Sequence, residues 1–128
     1  MSSFLKNQFP LVVWLVLIFW LSSISRVPDL PQIPHLDKVA HASLYFILGW
    51  FGHRAFRNQE RFPGLRRHAM LAAFILSALY GFTDEYHQRF VPGRSYDYWD
   101  MAADAIGASI YLGLYWLSLR RTSSAKAS

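Results

Sequence analysis

Residues 80–107, YGFTDEYHQRFVPGRSYDYWDMAADAIG, join two apolar helical runs and hold five of the chain's eight acidic residues: Asp84, Glu85, Asp97, Asp100 and Asp104. His87, Gln88, Arg89 and Arg94 lie among them. The surrounding chain is greasy, with 53% of its 128 residues hydrophobic and only 16% charged. Ionisable groups beside lipid are costly, so a chain of this kind turns them toward a bundle interior or a wet cavity. The fold is therefore one that gathers the acids at a single place, and this stretch is expected to carry the function.

The rest of the chain divides into apolar runs of helical character. The first span covers residues 9–27 and begins LVVWLVLIFWL, long enough with its flanks to cross a bilayer core. A cleaved secretory signal is the rival reading, but SSISRVP offers no good small-x-small cleavage site, so a retained helix is expected. Residues 28–36, PDLPQIPHL, hold three prolines and read as an extended connector. Asp37 is a good N-cap for a second span over 38–56, on which Asp37, His41, Tyr45 and Leu48 share a face. A basic loop, RNQERFPGLRR, precedes the run AMLAAFILSALYGF, which is too short to cross alone. The third span therefore continues to residue 90, drawing Asp84, Glu85 and His87 to the membrane boundary. Pro92 and Gly93 make a turn. The fourth span runs over 98–119, and the Ser- and Ala-rich tail at 122–128 is expected to be disordered.

These elements predict a single all-α domain, an integral membrane four-helix transmembrane bundle. With four spans, Lys6, the basic residues of the 54–67 loop, Arg120, Arg121 and Lys126 share one side, nine of the thirteen Lys and Arg residues. The positive-inside rule places that side, and both termini, in the cytoplasm. All the acids except Glu60 then fall at the outer end. The basic residues cap apolar runs instead of forming a stripe, so no nucleic-acid partner is expected; membrane lipids are. The chain has no cysteine, which excludes thiol chemistry and disulfides.

Helical spacing says which side chains can meet. Asp84, His87 and Gln88 sit at i, i+3 and i+4, with Glu85 turned about 100° away. Asp100 and Asp104 are another i, i+4 pair, Asp104 lying roughly 6 Å deeper. Asp37, Lys38 and His41 open the second span at the same level. The candidate catalytic residues are thus His87, Asp84, Glu85, His41, Asp100 and Asp104, with Lys38, Arg94, Gln88 and Asp37 as ligand-binding groups. Three chemistries fit them. A divalent metal could be held by mixed His and carboxylate ligands, which suit zinc or manganese, although the spacing matches no established zinc motif. A metal-free site could use His41 or His87 as base, with Arg94 and Lys38 holding an anion. Pure recognition of a polar headgroup or peptide is the third. In each, the ligand comes from the extracytoplasmic side.

Blander roles compete. Asp37 serves as an N-cap, Lys38 snorkels, and Arg94 neutralises Asp97 or Asp100. The whole cluster then acts as an ion-pair lock in a structural or accessory subunit. His35 and His53 read as incidental. Tyr96, Tyr98, Trp99, Tyr115 and Trp116 read as interfacial anchors, and Gly107 and Gly113 as points of close helix approach.

DKVAHASLYFILG followed by YGFTDEYHQRFVPGRSYDYWDMAADAIGA resembles the VanZ-like family of small bacterial membrane proteins over residues 9–119. The pattern DE-x-HQ-x-F-x-PGR, followed by two spaced aspartates, carries most of the likeness; Ala42 departs from it, where an aromatic often follows the histidine. The family's recurring polar residues fall on Asp37, Lys38, His41, Asp84, Glu85, His87, Gln88, Arg94, Asp100 and Asp104. The resemblance implies a four-span fold and a cell-envelope location. Through the family's namesake it also implies a link to teicoplanin and so a glycopeptide ligand, while the gathering of acids, His and Arg at the outer end itself points to a lipid-linked or phosphorylated headgroup of an envelope molecule. The resemblance implies no particular reaction.

Overall fold

The computed structural model describes residues 3–25 and 35–125. Among them every regular element is helical. A short α1 (Ser3–Asn7) leads into α2 (Phe9–Ser22), with Pro10 in the first turn, where its missing N–H costs nothing. Then come α3 (Leu36–Arg57), a short α4 (Pro63–Arg67), α5 (Ala69–Gln88) and α6 (Tyr98–Ala125). The four long helices alternate in direction. One end of the bundle collects the C-termini of α2 and α5 and the N-termini of α3 and α6, which a set of side-chain bonds ties together.

Helix α3 is the centre. It packs most extensively on α6, then on α5, and more lightly on α2. Gly107 permits the first of these contacts, because a Cβ there would overlap the backbone carbonyl of Ala42. Gly113, expected to do the same, has open space around it. Tyr45 and Leu48 of α3 and Ile18 of α2 are fully buried and form the apolar centre. Helix α2 is attached partly through side-chain bonds to backbone carbonyls, given to α3 and received from α5. Trp14 Nε1 donates to Leu44 O at 3.0 Å, and Tyr80 O–H donates to Leu15 O at 2.6 Å.

Polarity is inverted relative to a water-soluble bundle. Val12, Val16, Phe19 and Trp20 of α2, Ile75, Leu79 and Phe82 of α5, and Ile106, Ile110 and Leu114 of α6 face outward. His41, Asp84, Glu85, Gln88, Asp100 and Asp104 are buried. Two helical stretches, Phe4–Ser22 and Tyr98–Ser124, are long and apolar enough to cross a membrane. Helices α3 and α5 do not pass the same test, and α3 and α5 are where His41, Asp84 and Glu85 reside.

Several boundaries differ from the sequence reading. The first helix stops at Ser22, five residues before the expected end, where Ser23 Oγ bonds back to Phe19 O at 2.7 Å. Most of the proline-rich connector lies outside the described residues. Its last residue, Leu36, is already helical, and His35, at φ 64°, takes the N-cap place expected of Asp37. Asp37 instead stands in the first turn, where a carboxylate favours the positive end of the helix dipole. Helix α5 ends at Gln88 instead of residue 90, and the Pro92–Gly93 turn follows, closed by Arg94 N–H on Val91 O at 3.1 Å. Helix α6 continues past Leu119 to Ala125. Residues 122–125, assigned to a disordered tail, are helical, and the Thr122 and Ser123 hydroxyls bond carbonyls one turn back.

Candidate functional site

The carboxylates of α5 and α6 meet the start of α3 in two tiers. The deeper tier is centred on His41, one turn into α3. Its Nδ1 lies 2.9 Å from Asp104 Oδ1 and its Nε2 3.7 Å from Asp100 Oδ2. Asp104 can accept only from a protonated Nδ1, which leaves Nε2 as the nitrogen available to a ligand when the ring is neutral. Asp84 and Glu85 approach from α5. One ligand atom each from His41, Asp84 and Glu85 lies within 4.8 Å of the others, a spacing that would fit a shared cation.

Burial in this tier is nearly complete: Glu85 is 0% exposed and Asp104 1%. Glu85 Oε2 accepts from Asp97 N–H at 3.0 Å, but among the described residues Glu85 Oε1 and Asp104 Oδ2 have no hydrogen-bond partner, nor does the nearby Tyr45 hydroxyl. Buried polar atoms are seldom left so, and each asks for an explanation such as a bound ion. Gly81 makes the room: a Cβ there would stand 2.8 Å from Asp104 Oδ2.

The upper tier is an ion cluster around Lys38. Its Nζ reaches Asp37 at 3.2 Å and also contacts Asp97 and Asp100. Asp97 doubles as the N-cap of α6, accepting from Trp99 N–H at 2.8 Å. The Lys38 ammonium holds the Asp97 carboxyl below its ordinary range. At the rim, a cavity of about 290 Å³ opens between α2, α3 and α5, lined by Asp37, His41, Asp84, Gln88 and Arg94.

A family model described as VanZ/LLP1 matches residues 5–119. The chain belongs to the VanZ/LLP1 family. Comparison with curated proteins and with solved structures finds no match. Both tiers and the rim lie within the matched VanZ/LLP1 region.

Of the residues the sequence singled out in this VanZ/LLP1 chain, Asp37, Lys38, His41, Asp84, Glu85, Asp100 and Asp104 come together. Gln88 is buried beside them and donates to Asp84 Oδ2 at 3.3 Å from one turn away. Two turn elsewhere. His87 faces α2, its Nε2 3.0 Å from Ser23 Oγ and its ring 4.5 Å from that of Phe19. Arg94 gives Nε to Ile24 O at 3.2 Å and Nη2 to Leu21 O at 3.3 Å, so it caps the end of α2 while lining the cavity. Spacing did not single out Asp97 or the Tyr45 hydroxyl as site groups. Asp97 precedes its helix and has no periodic partner. Tyr45 shares a face with His41, a signal that was available.

Proposed function

We propose that this VanZ/LLP1 protein is a multi-pass bacterial inner-membrane bundle whose polar end binds a divalent cation and, through it, a phosphorylated or lipid-linked envelope headgroup. The observation that carries this reading is the pair of buried carboxylate oxygens without partners, Glu85 Oε1 and Asp104 Oδ2, beside an imidazole oriented by Asp104. A carboxylate that fixes the tautomer of a ligating histidine is a recurrent support of metal sites. Charge decides the order of binding. Asp37, Asp84, Glu85, Asp97, Asp100 and Asp104 outnumber Lys38, His41 and Arg94, so a bare phosphate would be repelled and a cation drawn in. Mixed imidazole and carboxylate ligands suit zinc or manganese.

The membrane setting is supported by the apolar exterior, by the two helices long enough to cross, and by the family. An exterior so rich in large apolar side chains needs a lipid or protein cover. The Lys and Arg distribution supports cytoplasmic termini and an outward-facing site. A role in susceptibility to glycopeptides such as teicoplanin would follow if the headgroup belongs to a cell-wall precursor.

The test is ion uptake by purified protein, read by elemental analysis after dialysis against Zn2+, Mn2+ or Mg2+. Wild type should retain an ion that Asp84→Asn/Glu85→Gln loses while still folding. Equal content in the two sinks the reading. Mass spectrometry of envelope lipids incubated with the protein, with and without chelator, then reports headgroup association, and an altered headgroup would extend the site from binding to catalysis.

One observation favours a second reading. Lys38 contacts three carboxylates, so the upper tier already holds a counter-charge without a ligand. On that reading the protein is a structural or accessory subunit of a membrane complex and the cluster locks α3 to α6. It predicts a co-purifying partner and no ion uptake.

A further inference from the structure

The opposite end of the bundle carries a second polar site built from other residues. A cavity of about 350 Å³ lies between the C-terminal turn of α3, α4, the first turn of α5 and the C-terminal part of α6. His53, Arg57, Arg66, Arg67, His68 and Tyr115 line it, and none of its described lining residues is acidic. His53 is not incidental. It is 4% exposed, with Nδ1 3.1 Å from the Tyr111 hydroxyl and its ring edge-on to Tyr115 at 4.3 Å. Arg57 lies over the Tyr115 ring at 5.6 Å. Among the described residues no ion pair engages Arg57, Arg66 or Arg67, so three guanidinium groups stand together without a counter-charge.

A second feature of the same wall has the same sign. Helix α5 is 20 residues long, its first turn borders the cavity, and that turn has neither an acidic residue nor a side-chain cap. The first N–H groups of a helix have no partner within it and sit at the positive end of its dipole, which makes them an anion site.

We propose that this cavity binds a phosphate-bearing anion, with oxygens shared between the Arg66 and Arg67 guanidiniums and the first-turn N–H groups of α5. Guanidinium matches phosphate in a two-pronged geometry, and basic pockets between membrane helices take lipid headgroups of this chemistry. Leu71 and Leu119 stand exposed at the cavity, where an acyl chain could lie. A soluble phosphomonoester offers the same group without the chain. The inference uses no residue of the carboxylate end and stands or falls apart from the cation reading.

Native mass spectrometry from nanodiscs of mixed phosphatidylcholine and phosphatidylglycerol, with parallel titrations of glycerol 3-phosphate and inorganic phosphate, tests it. Phosphatidylglycerol should be retained over phosphatidylcholine. Arg66→Gln/Arg67→Gln should cut that retention at least about tenfold, a loss equivalent to one good charged contact. Arg120→Gln, at the same end but outside the cavity, should leave it unchanged. A saturable response to glycerol 3-phosphate or inorganic phosphate, lost in the same double variant, would assign the site to a soluble ester instead of a lipid. The proposal is overturned if neither lipid preference nor phosphate response exists. It is also overturned if the double variant retains its ligand, or if Arg120→Gln loses as much as the double variant, since binding would then reflect diffuse surface charge.

Discussion

His41 Nδ1 lies 2.9 Å from Asp104 Oδ1 across the α3–α6 interface, with both groups buried. Each holds the other: Asp104 sets the imidazole, and His41 satisfies one oxygen of a carboxylate that lipid or a dry core would not tolerate alone. Asp104→Asn keeps the volume and one acceptor but weakens the hold on the ring. Divalent-cation affinity should fall about 10–100-fold, as for other outer supports of ligating histidines, with helicity by circular dichroism unchanged. His41→Ala leaves the carboxylate uncompensated and should cost about 3–5 kcal/mol in chemical denaturation from detergent. Unchanged affinity in Asp104→Asn would show that the pair has no part in ion binding.

Lys38 contacts Asp37, Asp97 and Asp100 together. Lys38→Met keeps most of the stem and removes the charge. Its melting temperature should fall below that of wild type, because three carboxylates then repel one another. Added Mn2+ or Mg2+ should raise the melting temperature of the variant more than that of wild type, since a cation can take the vacated position. A variant that melts with wild type in chelator would mean the cluster contributes no net stability.

The i, i+4 pairs Asp84–Gln88 and Asp100–Asp104 were legible because helical spacing alone puts each pair on one face, and the buried positions bear this out. The meeting of His41 with Asp104 was legible only as a convergence of levels. Its register depends on how closely α3 approaches α6, which Gly107 decides. His87 sits at the expected place on α5 but turns to Ser23, because α2 ends early enough to present that hydroxyl. His53 gave no signal, since a lone histidine in an apolar run looks the same whether it faces lipid or Tyr111. The length of α6 was hidden for a similar reason. Serine and threonine read as loop formers, yet here their hydroxyls return to the helix backbone.

Gly107 and Gly113 lie on the same helix and make opposite predictions. At Gly107 a Cβ collides with the Ala42 backbone, which cannot swing aside as a side chain can. Gly107→Ala should therefore lose at least about 1–3 kcal/mol, the range for overpacked interiors, and should weaken cation binding by pushing Asp104 from His41. Gly113→Ala meets nothing within 4 Å and should gain roughly 0.5–1 kcal/mol from helix propensity. Denaturation of both variants in one detergent gives the comparison. Equal effects would mean that α3 and α6 do not approach as described.

Asp97 supplies the pH dependence. Its carboxyl is held below the ordinary value by Lys38 and by the Trp99 N–H it caps. A group whose folded pKa is depressed stabilises the fold at every pH above its unfolded value of about 3.9, and that contribution disappears as pH falls through the folded value. At neutral pH, Asp97→Asn should therefore melt below wild type. The gap should persist down to about pH 5 and close in more acidic buffer, where wild type loses the same charge. Thermal melts of the two proteins across that range, in one detergent and at one ionic strength, read the effect directly. A gap that stays constant through the acid limb would show that the loss does not come from the Asp97 charge, and the linkage to Lys38 would fall.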